Sequence, residues 1–170
     1  PSTALDNILY TLKNNIPIVS GTTNWLTNID KVKNLCLEKK GAFLYSANFS
    51  LGMNIFFEIN KKIAKIMNSH NYNCEVSEVH HIEKIDSPSG TALVLKKDIE
   101  KFYNQNINID SVRLKKTVGI HNVKYESEID EIIICHKSKS RDGFALGAIL
   151  AAEWISGKTG FFTMKDVLKS

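Results

Sequence analysis

Residues 16–23 read Ile-Pro-Ile-Val-Ser-Gly-Thr-Thr, and this stretch decides the fold class. The apolar run Ile16 to Val19 is typical of a short buried strand, and it is followed directly by the polar turn Gly21-Thr22-Thr23. A helix precedes the strand, because apolar residues recur at helical spacing from Leu5 to Leu12. Ligands of open α/β sheets bind at the carboxyl ends of strands, so the turn is a candidate binding segment.

The same order of elements repeats immediately downstream. A second helix is predicted over about Asp30 to Lys39, and Gly41 leads from it into a strand over Ala42 to Tyr45. Helix, strand, helix, strand is the order of a parallel sheet with crossover helices. The sequence therefore predicts an α/β protein.

The middle of the chain predicts an α+β arrangement. An amphipathic helix is expected from Leu51 to about His70, with Ile55, Ile59, Ile63 and Ile66 along one face and lysines opposite. A strand over Tyr72 to His80 leads into a polar loop, and a further helix opens at Thr91. Three strands rich in β-branched residues follow at 111–114, 118–125 and 131–136, the last two as an antiparallel pair.

The last long apolar segment runs from Phe144 to Ile155. It is apolar nearly all round and contains several small residues, which predicts a helix packed on several sides. The segment is too short to span a bilayer, so no membrane association is expected.

Charge and cysteine content indicate which binding partners and which cellular location to expect. The 170 residues carry a formal net charge of +4 from scattered basic side chains, of which only Arg113 and Arg141 are arginines. Nucleic-acid binders show a clustered basic stripe with interleaved aromatics, so nucleic acid is not expected as a partner. Three cysteines without a paired spacing, Cys36, Cys74 and Cys135, predict a reducing, cytoplasmic location.

The most informative stretch for function is Glu78-Val-His-His-Ile-Glu-Lys-Ile-Asp-Ser-Pro-Ser-Gly-Thr-Ala92. It combines a lysine, two histidines and a helix start at Ser89-Gly90-Thr91, where backbone N–H groups and the helix dipole can hold a carboxylate. Consecutive strand residues point in opposite directions, so His80 and His81 are expected to have different roles. A small dicarboxylate ligand fits this set of groups.

This stretch closely resembles the signature of the 4-hydroxy-tetrahydrodipicolinate reductases, whose paired histidines, following lysine and Pro-Ser-Gly-Thr turn form the substrate site. The resemblance implies that His80 and Lys84 are catalytic, His80 as the acid/base group and Lys84 as a carboxylate partner and proton donor. It assigns substrate binding to four further residues: His81, Ser89, Gly90 and Thr91.

Other stretches resemble the same family in the right order. Gly21-Thr22-Thr23 resembles its cofactor turn, and Ser46-Ala47-Asn48-Phe49-Ser50 resembles its segment near the nicotinamide. The run from Ser140 to Ala148 resembles its late helix start, and 160–168 its closing motif, with Phe162 where tyrosine is expected. The resemblance implies that Gly21, Thr22, Thr23, Ser46, Ala47, Asn48, Phe49 and Arg141 bind NADPH or NADH, with Arg141 contacting cofactor or substrate charge.

The expected architecture is the C-terminal part of a Rossmann-like parallel-sheet domain followed by an α+β substrate and oligomerisation domain with a mixed sheet. Residues 1–50 are assigned to the first domain, possibly rejoined by 141–170, and residues 51–140 to the second. No glycine-rich dinucleotide turn precedes the first strand, and we therefore expect a fragment or a truncated product. The resemblance further implies a homotetramer joined through the second domain's sheets.

Three alternatives to this reading concern the site and the activity. Zinc would recruit Cys74, His80, His81 or His136, but none of these has the short paired spacing of zinc sites, so no metal is expected. Ser89 as a hydrolase nucleophile lacks the Gly-x-Ser-x-Gly elbow. The third alternative is a catalytically inactive fragment or subunit that retains the fold and the oligomer interface without cofactor binding.

Overall fold

A computed structural model describes residues 2–169 of the chain. The described residues form two compact units, one built from the chain up to Asn54 together with the segment from Asp142 onward, and one from Ile55–Arg141. The elements are α1 (Ala4–Lys13), β1 (Ile18–Ser20), α2 (Ile29–Glu38), β2 (Ala42–Tyr45), α3 (Leu51–Met67), β3 (Asn73–His80), α4 (Gly90–Ile99), β4 (Asn108–Arg113), β5 (Gly119–Glu126), β6 (Glu131–Ser138), α5 (Asp142–Ile155), β7 (Gly160–Thr163) and α6 (Met164–Val167).

The first unit contains a parallel sheet of order β1-β2-β7. The central strand alternates between two cores, as a strand buried on both faces must. Phe43 packs with α1 and α2 residues around the buried Trp25, whereas Leu44 packs with Ala151 and Ile155 of α5. Helices thus cover both faces of the sheet, which is the layer arrangement of a doubly wound α/β domain.

The second unit contains a mixed sheet of order β4-β3-β5-β6. Strand β3 is parallel to β4 and antiparallel to β5, and β6 is antiparallel to β5. Alternate residues of β5 are buried, and the fully buried Val123 and Tyr125 lie on the same side of the strand as His121. Helix α4 contributes Ala92, Leu95 and Ile99 to the buried core of the unit.

The α/β class predicted from the sequence, with a parallel sheet followed by a mixed sheet, is confirmed. The segment from Asp142 onward contributes β7 to the first sheet, where it pairs with β2. The division between the two units falls at Asn54 and Ile55, inside α3. No helix in residues 2–169 has the length and apolar content needed to cross a membrane.

Helix α3 buries a different face from the predicted one. Ile55, Ile59 and Ile66 are exposed, and the buried positions are Met53, Phe56, Asn60, Ala64 and Met67. The buried amide of Asn60 donates a hydrogen bond to the backbone carbonyl of Leu95, at 3.3 Å, so a polar side chain occupies a core position. The prediction was wrong because apolar residues line both faces of this helix, and periodicity alone selected the isoleucines.

Helix α5 is also packed less completely than predicted. Its buried residues are Gly147, Ala151 and Ile155, whereas Phe144, Leu146, Ile149 and Leu150 are exposed. A Cβ placed on Gly147 would lie 1.8 Å from the backbone oxygen of Phe49, so the helix approaches that segment backbone to backbone. The small residues therefore define one contact face, and the expectation of packing on several sides was wrong for this chain.

Candidate active site

The predicted substrate residues lie where β3 leaves the mixed sheet. His80 is the last residue of β3 and pairs with Arg113, the last residue of the parallel β4. The backbone N–H of Leu114 donates to the carbonyl of His80 at 2.8 Å, which holds the two strand ends together. The loop that follows β3 returns to the N-terminus of α4 at Gly90.

His80 is almost completely buried, with 7% of its surface exposed. Burial lowers its pKa, although the negative charge of Glu78 opposes this shift, and the imidazole is therefore largely neutral at pH 7. A Cβ on Gly119 would lie 3.2 Å from His80 Nε2, so the ring packs closely against a position that has no side chain. Its Nδ1 lies 3.5 Å from Glu78 Oε2.

His81 lies just beyond the end of the strand and has a different neighbour. Arg141 Nη2 lies 3.1 Å from His81 Nε2. Because a guanidinium only donates hydrogen bonds, Nε2 must be the acceptor, and the proton of the neutral ring is then on Nδ1. The two histidines therefore differ in surroundings, as the alternation of strand side chains predicted.

Lys84 contacts the carboxylate of Asp86 in the loop before α4. Lys84 Nζ lies 2.7 Å from Asp86 Oδ1, and the backbone N–H of Gly90 makes a smaller contribution to the lowered pKa of that carboxyl. The hydrogen bond from Lys84 is the main cause of the lowered pKa of Asp86. The Asp86 side chain is 56% exposed, and a Cβ on Gly90 would meet no atom within 4 Å, so this carboxylate position opens to solvent.

Ser89 forms its hydrogen bonds with other residues of the protein. Its backbone N–H donates to Glu78 Oε1 at 2.9 Å, its hydroxyl donates to Glu78 Oε2, and the hydroxyl oxygen caps α4 by accepting from Ala92 N. The residue is 2% exposed. The expectation that the Ser89 N–H is free for a substrate carboxylate was wrong, because Glu78 already accepts it. Gly90 and Thr91 remain at the helix start.

Glu78 is a functional candidate that the sequence reasoning did not select. Its side chain is fully buried, and besides Ser89 it accepts hydrogen bonds from Ser111 Oγ at 3.1 Å and Arg113 Nη2 at 3.3 Å. Burial alone would raise its pKa, but the hydrogen bonds from Ser89 and Ser111 outweigh it and lower the pKa. The group is therefore an ionised carboxylate inside the unit.

The sheet register explains how these groups meet. Ser111 of β4 and His121 of β5 both pair with Glu78, so the three side chains form one row across the sheet. His121 Nε2 lies 3.6 Å from Glu78 Oε2 and 3.3 Å from Ser89 Oγ. The alternation of β3 places Glu78 on the same face as His80, and this signal was available in the sequence. The partners of Glu78 on β4 and β5 could not be predicted, because the sequence does not show the register between strands.

Glu78, His80 and His121 also have the composition of a metal site. One ligand atom from each lies within 4.8 Å of the other two. However, both oxygens of Glu78 already accept hydrogen bonds, and the Arg113 guanidinium lies 3.3 Å from one of them. A cation would compete with these donors and with a fixed positive charge. The arrangement is that of a hydrogen-bonded network.

The predicted cofactor segments lie next to each other in the first unit. Gly21, Thr22 and Thr23 follow β1, and within residues 2–169 their backbone N–H groups have no hydrogen-bond acceptor. A Cβ on Gly21 would lie 3.2 Å from the Phe49 ring and 3.7 Å from the backbone oxygen of Ser46. The two segments therefore meet at the carboxyl ends of β1 and β2.

Two backbone carbonyls of the segment predicted to lie near the nicotinamide make contacts within the protein. The carbonyl of Asn48 accepts from Ser46 Oγ at 2.6 Å and from Asn54 Nδ2 at 2.8 Å. The backbone oxygen of Phe49 is covered by Gly147 of α5. Within the segment Ser46-Ala47-Asn48-Phe49, the carbonyls of Asn48 and Phe49 are thus used to shape the loop itself.

A parallel-sheet unit with open backbone N–H groups after its first strand, and a mixed-sheet unit that carries His80, His81 and Lys84, are features of an α/β enzyme. Residues 52–168 match the family model described as dihydrodipicolinate reductase, C-terminus. The chain belongs to the 4-hydroxy-tetrahydrodipicolinate reductase family. This confirms the family and the enzyme class predicted from the sequence.

Individual relatives agree with the family model. The 4-hydroxy-tetrahydrodipicolinate reductase of Christiangramia forsetii is 45% identical over 181 aligned positions, which cover 99% of this chain and 76% of the relative. That of Thermosipho africanus is 41% identical, covering 94% and 71%. A solved structure of dipicolinate-bound dihydrodipicolinate reductase from Paenisporosarcina sp. TG-14 is similar in fold, with a TM-score of 0.77 at 21% identity, covering 96% of this chain and 68% of that one.

Proposed function

We propose that this chain reduces 4-hydroxy-tetrahydrodipicolinate, by way of dihydrodipicolinate, to tetrahydrodipicolinate, with NADH or NADPH, in the synthesis of diaminopimelate and lysine. The observation that carries the proposal is the ion pair between Lys84 Nζ and Asp86 Oδ1, at 2.7 Å. Lys84 is predicted to bind a substrate carboxylate, and its contact with Asp86 supports that prediction. A substrate carboxylate would displace Asp86 from this exposed position.

A second positive group supports recognition of a dicarboxylate. Arg141 Nη2 lies 3.1 Å from His81 Nε2, and Arg141, His81 and Lys84 belong to the same unit. We assign Arg141 to the second substrate carboxylate in preference to the cofactor, because its observed neighbour is a predicted substrate residue. Two fixed cations then match the two negative charges of the ring.

The acid/base groups have distinct tasks in this proposal. Lys84, whose side chain is 23% exposed, is the proton donor to the carbon next to the reduced one. His80 is largely neutral at pH 7, so it acts as a hydrogen-bonding and proton-accepting group. When bound, the nicotinamide supplies the hydride to C4 of the ring. The residues of this chain hold the dicarboxylate, neutralise its charge and deliver the proton.

The first unit fits a dinucleotide at the carboxyl ends of its strands. The open N–H groups of Gly21, Thr22 and Thr23 are donors for phosphate or amide oxygens, and Gly21 lets the segment from Ser46 to Phe49 approach closely. We propose that these residues hold the nicotinamide portion.

Assembly and location are part of the same proposal. The uncovered face of the mixed sheet exposes Val112 and Ile133, at 37% and 53%, and Cys135. Burying this face between copies gives the homotetramer that the family resemblance implies. Cys36, Cys74 and Cys135 are all free thiols, which supports a cytoplasmic enzyme. Sedimentation that shows only a monomer at micromolar concentration would contradict the assembly.

A calorimetric titration with pyridine-2,6-dicarboxylate, NADH and NADPH tests the function. Wild type should bind the dicarboxylate, Lys84→Ala should bind it about tenfold or more weakly, and Lys97→Ala should match wild type. Lys97 is the control because it is an exposed lysine of α4 in the same unit. Equal affinities in all three proteins would refute the proposed site. Dicarboxylate binding without binding or oxidation of either nucleotide would favour the alternative of an inactive subunit.

A further inference from the structure

Glu78 stands out among the side chains of the second unit. It lies at 0% exposure in the middle of a sheet, where an ionised carboxylate is unfavourable unless donors surround it. Four hydrogen bonds do so, two from Ser89 and one each from Ser111 and Arg113. A position with only a packing role would carry an apolar residue. We therefore look for a function of the negative charge of Glu78.

The donors connect Glu78 to the segment that carries the predicted substrate groups. Ser89 is the N-cap residue of α4, so both of its hydrogen bonds to Glu78 fix the position of the helix start. Arg113 bonds to Glu78 with the same Nη2 that donates to the backbone carbonyl of Asp86, at 2.6 Å. One carboxylate thus anchors both ends of the turn 86–89.

The opposite side of the carboxylate faces two imidazoles. Glu78 Oε2 lies 3.5 Å from His80 Nδ1 and 3.6 Å from His121 Nε2, and the two rings meet edge to face with centroids 4.9 Å apart. His80 Nδ1 is buried and has no hydrogen-bond partner among the described residues, and Glu78 Oε2 is the carboxylate oxygen that lies 3.5 Å from it. A proton on Nδ1 is favoured there, which leaves the Nε2 of the neutral ring as an acceptor.

We propose that Glu78 is the positioning residue of this site, which fixes the His80 tautomer and the helix start at Gly90 through a single carboxylate. The inference rests on the proposed function and adds to it a residue that contacts neither substrate nor cofactor. It explains why Ser89 is buried and hydrogen-bonded to Glu78, because Ser89 links the Glu78 carboxylate to the start of α4. His121 and Ser111 support the carboxylate from the adjacent strands.

The test compares Glu78→Gln with Glu75→Gln. Glu75 is on the same strand with its side chain 56% exposed on the opposite face, so the control makes the same chemical change outside the network. Imidazole nitrogen NMR on ¹⁵N-labelled protein should show His80 as the single Nδ1–H tautomer in wild type and Glu75→Gln. Glu78→Gln should lose that single tautomer and bind pyridine-2,6-dicarboxylate about tenfold more weakly. Unchanged His80 signals and affinity in Glu78→Gln would overturn the inference.

A second variant covers the case in which Glu78→Gln does not fold. Ser111→Ala removes one donor from the same carboxylate and leaves its charge in place. It should shift the His80 nitrogen signals and weaken dicarboxylate binding about threefold, whereas wild-type behaviour would overturn the inference. The outcomes are separable from failure of the proposed function. If the wild-type protein does not bind the dicarboxylate, the proposed function is refuted. The His80 tautomer in Glu78→Gln still tests whether Glu78 positions His80.

Discussion

Acidification should destabilise the second unit through its buried histidines. Burial, reinforced by the titration of the neighbouring His80, lowers the pKa of His121 from 6.5 to about 4. Between these values the unfolded chain binds a proton that the folded chain does not, so the free energy of unfolding falls as pH falls from 6.5 toward 4. For His121 alone the loss between pH 7 and pH 5 is about 2 kcal/mol. The lowered pKa values of His80 and His136 act in the same direction.

Urea denaturation followed by two probes separates the units. Both tryptophans, Trp25 and Trp154, are in the first unit, so their fluorescence reports its unfolding, while far-UV circular dichroism reports both units. The pH-dependent loss should appear in circular dichroism and shrink by about 2 kcal/mol in His121→Gln. The control His70→Gln changes an exposed histidine and should behave as wild type. Full pH dependence in His121→Gln would refute the reasoning.

Three further outcomes follow from the contacts described above. Gly119→Ala places a Cβ 3.2 Å from His80 Nε2 and should lower turnover about tenfold with the fold intact by circular dichroism; unchanged kinetics would contradict the packing of that ring. Gly147→Ala brings a Cβ to 1.8 Å from the Phe49 oxygen and should cost about 1–3 kcal/mol in urea denaturation by tryptophan fluorescence, so wild-type stability would contradict the close approach. Dialysis against EDTA should leave dicarboxylate affinity unchanged, and stoichiometric metal in the purified protein would contradict the hydrogen-bonded network around Glu78.

The sequence was sufficient for the alternation of helices and strands and for the loop from His80 to Thr91. Those features depend on local patterns, namely apolar periodicity, a helix start at Ser89-Gly90-Thr91 and charged residues within twelve positions. The strand β1 was predicted two residues too early, starting at Ile16 where the structure starts it at Ile18. This is the usual limit of boundary prediction, since strand ends are set by pairing with β2.

Features that depend on tertiary contacts were missed. The row Ser111, Glu78, His121 requires the register of three strands, and both Ser111 and His121 lie more than 30 positions from Glu78 along the chain. The buried face of α3 includes Asn60, which hydrogen-bonds to α4. Apolar periodicity does not predict a polar residue at a buried position. The hydrogen bond from the Ser89 N–H to Glu78 could not be predicted either, because the sequence Ser89-Gly90-Thr91 is equally compatible with a substrate contact.

The central claim is that Lys84 and the start of α4 form a carboxylate site that Asp86 occupies until a dicarboxylate replaces it. The most direct measurement is the calorimetric affinity of Asp86→Asn for pyridine-2,6-dicarboxylate, compared with wild type at the same ionic strength. Removing the competing charge from an exposed ion pair should tighten binding about two- to fivefold. Weaker binding in Asp86→Asn would contradict the account, because Asp86 would then support the ligand instead of standing in its place.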